Sequence, residues 1–138
     1  EINDFMPNFV LSMTREMVEG ISKPQITIFG VAYKGNVDDT RETPAMKIIK
    51  LAENEGIEIK CYDPHVEEFE YELYSLEKAV KDSDCIVVVT DHKDFSKVKP
   101  ESIKNKMRTK NILDTRNIIE EDRWKRAGFK VKTLGKVN

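Results

Sequence analysis

Asp84-Cys85-Ile86-Val87-Val88-Val89-Thr90 is the most apolar stretch of the chain. A strand with one wet face alternates polar and apolar side chains, and this one does not. A continuous apolar run of that length fits a parallel strand covered on both faces, and therefore a central one. Upstream, Gln25 to Val31 (QITIFGV) and Ile57 to Tyr62 (IEIKCY) read as the first and second strands, the latter closed by Asp63-Pro64. Downstream, Asn111 to Asp114 and Phe129 to Thr133 read as the fourth and fifth. Helical patterns separate them. Thr43 to Asn54 starts with an N-cap threonine and a proline suited to the first helical position, and Gly56 stops it. Ser75 to Lys81 is a short helix capped by Ser75, and Glu120 to Ala127 ends at Gly128. Asp94 to Met107 holds short helical turns broken by Pro100, while Val66 to Tyr74 is acidic and irregular. Strands alternating with helices predict an α/β fold with a parallel sheet and right-handed crossovers.

At the amino end, Phe5, Phe9, Met13 and Met17 recur at helical spacing beside Met6 and Val10, which predicts an amphipathic helix ending near Gly20. Its apolar positions run more than halfway round. Two readings stay open: a core-facing stripe, or a connecting helix whose apolar side meets another domain or subunit. Lys23-Pro24 is the linker-like break before the first strand. The chain begins at Glu1, already within a helical pattern, and reads as a fragment of a longer protein or as a processed start.

With 138 residues there is room for one core. Hydrophobic residues make up 39% and charged residues 35%, the balance of a folded, soluble domain rather than a disordered one. The net charge of -2 with mixed signs argues against a general nucleic-acid binder. Lys104 to Lys110 (KNKMRTK) is basic but reads as a solvated face. Neither a membrane span nor a signal peptide is evident, which points to a cytoplasmic location. Cys61 and Cys85 lie in strand-like runs and read as buried, reduced thiols, with no metal-ligand spacing around them.

Open α/β sheets bind ligands beyond the carboxyl ends of their strands, where strand order reverses. That rule selects Ala32 to Arg41, Asp63 to His65, Thr90 to His92 and Thr115 to Asn117. The segment from Ala32 to Pro44 exceeds an ordinary βα turn of about 2–6 residues. It carries Tyr33, Lys34 and Arg41, and leads into a capped helix whose N-terminus favours anions. Lys34 and Arg41 suit phosphate oxygens, and Tyr33 suits a base or sugar face. The competing reading pairs the two cations with Asp38 and Asp39 on the surface. Gly30 and Gly35 do not make a GxGxxG dinucleotide turn. Arg116, after the fourth strand, would point into the same crevice, or else form a helix-flanking salt bridge. His92 and His65 read as structural by default, since catalysis needs an oriented neighbour. No catalytic set and no metal motif can be assembled, so the region reads as a binding site rather than a reaction centre.

The run from Gly30 to Ala45 (GVAYKGNVDDTRETPA) resembles the carboxy-terminal, UDP-binding domain of the UDP-glucose/GDP-mannose dehydrogenase family. The hallmark there is an aromatic-Lys pair followed by Asp-x-Arg-Glu-Ser/Thr-Pro. Tyr62-Asp63-Pro64 and Asp114-x-Arg116-Asn117 match as well, and Asn3-Asp4-Phe5-Met6-Pro7 resembles the end of the family's central helix. Within the family the pattern is closest to the UDP-N-acetyl-mannosamine dehydrogenases. The resemblance implies a Rossmann-like three-layer sandwich with a mainly parallel sheet of five to six strands, preceded by a connecting helix. Residues 1–22 would be the end of that helix and 23–138 the UDP-sugar-binding domain. It implies a parent enzyme that oxidises the C6 alcohol of a UDP-sugar to the acid, using two NAD+ and a cysteine thioester, in polysaccharide biosynthesis. Tyr33, Lys34 and Arg116 match substrate-binding positions, and Arg41 matches a cofactor-binding arginine that reaches NAD+ held by an amino-terminal domain. The family's catalytic cysteine motif has no counterpart here, so the fragment alone would be inactive. The partners implied are the UDP-sugar, the amino-terminal and central domains of the parent, and further copies in a homo-oligomer. The alternatives are a free-standing nucleotide-binding or regulatory module, and a structural or dimerising domain with no ligand.

Overall fold

In the computed structural model, which describes residues 5–32 and 43–134, Cys85–Val88 forms β3, the middle strand of a five-stranded sheet. The strands are β1 (Gln25–Phe29), β2 (Glu58–Tyr62), β3, β4 (Asn111–Asp114) and β5 (Lys130–Thr133), in the order β2-β1-β3-β4-β5. Every neighbouring pair is parallel, with Ile26 opposite Ile59 and Cys85, Ile86 opposite Ile112, and Leu113 opposite Lys132. The described residues thus hold the lower of the expected strand numbers. All four residues of β3 are at most 1% exposed, as a strand covered on both faces requires.

The helices are α1 (Phe5–Met17), α2 (Pro44–Asn54), α3 (Leu76–Val80), α4 (Lys93–Ser96), α5 (Pro100–Ile103) and α6 (Glu121–Arg126), with a 3-10 turn over Lys104–Lys106. Strand alternation divides the core in two. Ile26, Ile28, Cys85, Val87 and Leu113 face Val10, Leu11 and Met17 of α1 and Ile48 and Ile49 of α2. Phe29, Ile86, Val88 and Ile112 face Val80, Phe95, Ile103 and Trp124 from α3 to α6. Each such aliphatic side chain contributes about 1.5–3 kcal/mol by leaving water, and the result is the expected three-layer sandwich.

Several elements are shorter than the sequence suggests. Strand one stops at Phe29, two residues before Val31, because Gly30 turns with φ +99°. The first helix stops at Met17 and reaches Gly20 through a turn. Its buried face also differs from the expected stripe. Val10, Leu11, Met13, Thr14 and Met17 are buried, whereas Phe9 is 38% exposed. The cause is the docking direction: α1 lies against α2 and the ends of β3 and β4. The α2 signals act as read, with the Thr43 hydroxyl accepting the Met46 N–H at 3.2 Å and Pro44 opening the helix.

At the amino edge of the sheet, the fully buried Asp84 carboxylate accepts the Gln25 N–H at 2.9 Å, Arg108 Nε at 2.8 Å and the Thr109 hydroxyl at 2.8 Å. Arg108 also reaches it through a terminal guanidinium nitrogen. Arg108 is therefore a bracing side chain, not only part of a solvated basic face. Asn111 Nδ2 donates to Met17 O and Asp84 O, which ties the end of α1 to β3 and β4. No described helix is long and apolar enough to cross a membrane.

Candidate functional site

From β1 the chain crosses to β2 on one side, and from β2 it returns past β1 to β3 on the other, so strand order reverses between β1 and β3. At that reversal a glycine is required. A Cβ on Gly30 would lie 2.4 Å from both Cβ and Oγ1 of Thr90 at the end of β3, and its positive φ is in the region that side chains disfavour. The Gly30 N–H donates to Tyr62 O at 3.0 Å, and Thr90 Oγ1 donates to Ala32 O at 3.2 Å. Gly30 thus serves close packing of β1 against β3. Tyr33, Lys34 and Arg41 lie outside the described residues.

The buried Asp63 anchors the start of that segment. One carboxylate oxygen accepts the Val31 N–H at 2.9 Å and the other accepts the His65 N–H at 3.0 Å. The Tyr62-Asp63-Pro64 motif is in this way a clamp between the ends of β2 and β1. Tyr62 packs edge-on against Phe29 and Phe95. Burial, then the nearby carboxylates of Asp94 and Asp63, push its phenol pKa up, so it stays protonated.

Beyond β4 the fully buried Asp114 organises the loop that carries Arg116. Its Oδ1 accepts the N–H groups of Arg116 at 3.0 Å and Asn117 at 2.9 Å; its Oδ2 accepts those of Ile118 at 2.7 Å and Ile119 at 3.0 Å. Asn117 sits at φ +60°, a conformation asparagine tolerates better than most residues. The Thr115 hydroxyl donates to Val88 O at 2.6 Å, which pins the loop to β3. Arg116 itself is half-buried and lies 3.5 Å from Asp91. With Thr115 it borders a narrow cleft lined by Met6, Pro7 and Val10 of α1, Pro44 and Ile48 of α2, and Val89. Arg116 therefore does form an ion pair, a loose one, while facing the crevice beside the central strand.

The structure joins His65 and His92, which the sequence reading kept apart. Their rings lie 3.4 Å apart between centroids, tilted by 32°. His65 Nε2 is 2.7 Å from Asp94 Oδ2, and His92 Nδ1 accepts the Asp94 N–H at 3.1 Å as the N-cap of α4. His65 comes from the turn after β2 and His92 from the turn after β3, so no spacing along the chain announces the cluster. Asp114 and Asp63 were also missed as positioning groups, although an aspartate ending a strand before a turn is a usable signal.

Cys61 and Cys85 are buried and unpaired with each other. Burial, reinforced by Asp63, pushes the Cys61 thiol up to about 12, and burial with Asp84 nearby pushes Cys85 up as well. Neither presents a thiolate to the crevice.

Residues 27–121 match the model of the UDP-glucose/GDP-mannose dehydrogenase family, UDP binding domain. The chain is 48% identical to the UDP-N-acetyl-D-mannosamine dehydrogenase of Methanococcus vannielii over 98% of its own length and 33% of that protein. Among solved structures it resembles the UDP-D-ManNAc dehydrogenase of Pyrococcus horikoshii, with TM-score 0.82 and 40% identity over 96% of this chain and 31% of that one. It also resembles the NDP-N-acetyl-D-galactosaminuronic acid dehydrogenase of Methanosarcina mazei, with TM-score 0.88 and 30% identity over 97% and 30% of the two chains. The chain thus spans about a third of the length of the curated relatives it matches. The matched segment runs from β1 to the start of α6 and includes the clamp at Asp63, the reversal at Gly30 and the Asp114 loop, and on this evidence the chain belongs to the UDP-glucose/GDP-mannose dehydrogenase family as its UDP-binding domain.

Proposed function

We propose that the chain is the UDP-sugar-binding domain of an NAD-dependent nucleotide-sugar 6-dehydrogenase, one that oxidises the C6 alcohol of its substrate to the uronic acid. The observation that carries this is the Arg116 guanidinium, held beside the central strand by a loop that a buried carboxylate shapes. A guanidinium at that edge can take two phosphate oxygens at once. In this reading Tyr33 and Lys34 join Arg116 on the UDP-sugar. Residues 1–22 are the end of a connecting helix, and 23–138 are the binding domain.

In this reading the chain is not the main seat of the dinucleotide. Gly30 and Gly35 do not make the GxGxxG turn that seats a pyrophosphate on a helix N-terminus. NAD, which accepts the hydride in this family's chemistry, is therefore assigned mainly to the amino-terminal domain of the parent, with Arg41 reaching toward it. The chain's own part is to bind and orient the nucleotide. With both cysteines buried as thiols it supplies no thiolate nucleophile, and in this reading the fragment alone is inactive. The parent is assigned to the cytoplasm as a homo-oligomer acting in polysaccharide biosynthesis. The similarity of the whole chain to UDP-N-acetyl-D-mannosamine dehydrogenases favours UDP-N-acetylmannosamine as the sugar nucleotide.

The test is turnover by the full-length protein. Purified enzyme supplied with NAD+ and a panel of UDP-sugars should form NADH with UDP-N-acetylmannosamine, at two equivalents per sugar, and free UDP should compete with the substrate. Absence of NADH with every UDP-sugar would reject the assignment.

A further inference from the structure

We propose that His65, His92 and Asp94 form a binding site for one divalent transition-metal ion of the zinc class. Each residue offers one ligand atom, and these atoms all lie within 4.8 Å of one another. Two imidazoles and a carboxylate are the donors that zinc, cobalt and nickel take, whereas magnesium and calcium prefer all-oxygen sets. All three side chains are partly buried, so the ligands are held by the fold yet open to water.

Ligand atoms on one tetrahedral zinc at about 2.0–2.1 Å stand roughly 3.3 Å apart. His65 Nε2 and Asp94 Oδ2 are 2.7 Å apart around a shared proton, and a few tenths of an ångström of opening admits an ion between them. The exchange is balanced: as the metal–nitrogen bond forms, the hydrogen on His65 Nε2 passes through solvent to Nδ1, so the imidazole stays neutral, and no redox change is involved. His92 completes the set from the facing ring, 3.4 Å away between centroids. Its Nδ1 now accepts the Asp94 N–H at 3.1 Å. Ligation through Nδ1 breaks that bond. Ligation through Nε2 moves the ring hydrogen to Nδ1, which can then no longer accept. Either way the Asp94 amide gives up its partner. Three protein ligands leave a fourth position for water.

The site would bolt the turn after β2 to the turn after β3. Asp91, the ion-pair partner of Arg116, lies in the second of these turns. The inference does not rest on the nucleotide reading, because its ligands and its readouts involve the metal alone.

The test is titration of the purified, tag-free protein with Co2+, followed by its visible d–d absorption. The expected result is saturation at one Co2+ per chain, displacement by Zn2+ and indifference to Mg2+. His65→Gln and Asp94→Asn should each weaken binding at least about tenfold, with the far-UV circular dichroism unchanged. Hydrogen exchange of a peptide covering Asp94 should quicken as metal is added to the wild type. No saturable uptake by the wild type overturns the proposal whether or not the variants fold, and so does undiminished affinity in both variants.

Discussion

Asp114 and Arg116 are joined through the backbone and not through their charges. The carboxylate accepts the Arg116 N–H at 3.0 Å, while the guanidinium turns to Asp91 at 3.5 Å. Position and function are therefore separable at this loop. Arg116→Ala should weaken UDP binding to the full-length enzyme by about 1.5–3 kcal/mol, the worth of a charged hydrogen bond. Its melting temperature should hardly move, because a loose, partly exposed ion pair contributes about 0–1 kcal/mol. Calorimetry with UDP and a thermal melt give both numbers, and unchanged affinity would remove Arg116 from the site.

Asp114→Ala should damage both properties. It leaves the N–H groups of residues 116 to 119 without their acceptor, at a cost of about 2–5 kcal/mol once water satisfies some of them. Urea unfolding measures the stability loss. A variant as stable as the wild type would show that the loop holds its shape without the carboxylate.

Gly30→Ala should destabilise for two distinct reasons, contact with Thr90 and a φ of +99°. Together these are expected to cost about 2–4 kcal/mol. Thr90→Gly removes the atoms in the way but not the strained φ. In a double-mutant cycle the pair should couple favourably by about 0.5–3 kcal/mol, with only partial rescue. Full additivity would contradict the contact.

The Asp84 carboxylate predicts how stability falls in acid. Burial alone would raise its pKa, but Arg108, the Gln25 N–H and the Thr109 hydroxyl outweigh burial and hold it below the ordinary value. A folded-state pKa below the unfolded one contributes stability that is complete above the unfolded value of about 3.9 and is lost as pH falls through the lowered folded value. Arg108→Met should flatten that acid limb and lower stability at neutral pH. Urea midpoints between neutral and strongly acidic pH would show it, and an unaltered acid limb in Arg108→Met would count against the pair.

Both thiols should resist alkylation in the folded protein. Cys61 is pushed up to about 12 by burial and by Asp63, and Cys85 is fully enclosed. At mildly alkaline pH they should label only at the rate of unfolding, as followed by mass spectrometry. Rapid native labelling at Cys61 would show that β2 opens.

Much of this fold is legible along the chain because it is governed by local chemistry. The unbroken apolar run at Cys85–Val88 marks the central strand, since a strand covered twice has no polar face to offer. Thr43 and Pro44 mark the start of α2, since the cap and the fixed φ act within one turn. The α1 face was not legible, because Phe9 and Val10 are equally apolar and only docking on α2 decides between them. Arg116 could be picked from its place after a strand, but not the Asp114 carboxylate beneath it, whose four N–H contacts exist only once the loop has closed. Nor could His65 and His92 be paired, since they leave different strands and meet only because β2 and β3 flank β1 in one sheet. Periodicity and caps act over a few residues and were enough to mark the strands and helices, while their alternation and crossover handedness pointed to a parallel sheet and to one candidate binding edge. Only the tertiary structure decided which side chains meet at that edge, because strand order and loop closure bring together residues that no local rule connects.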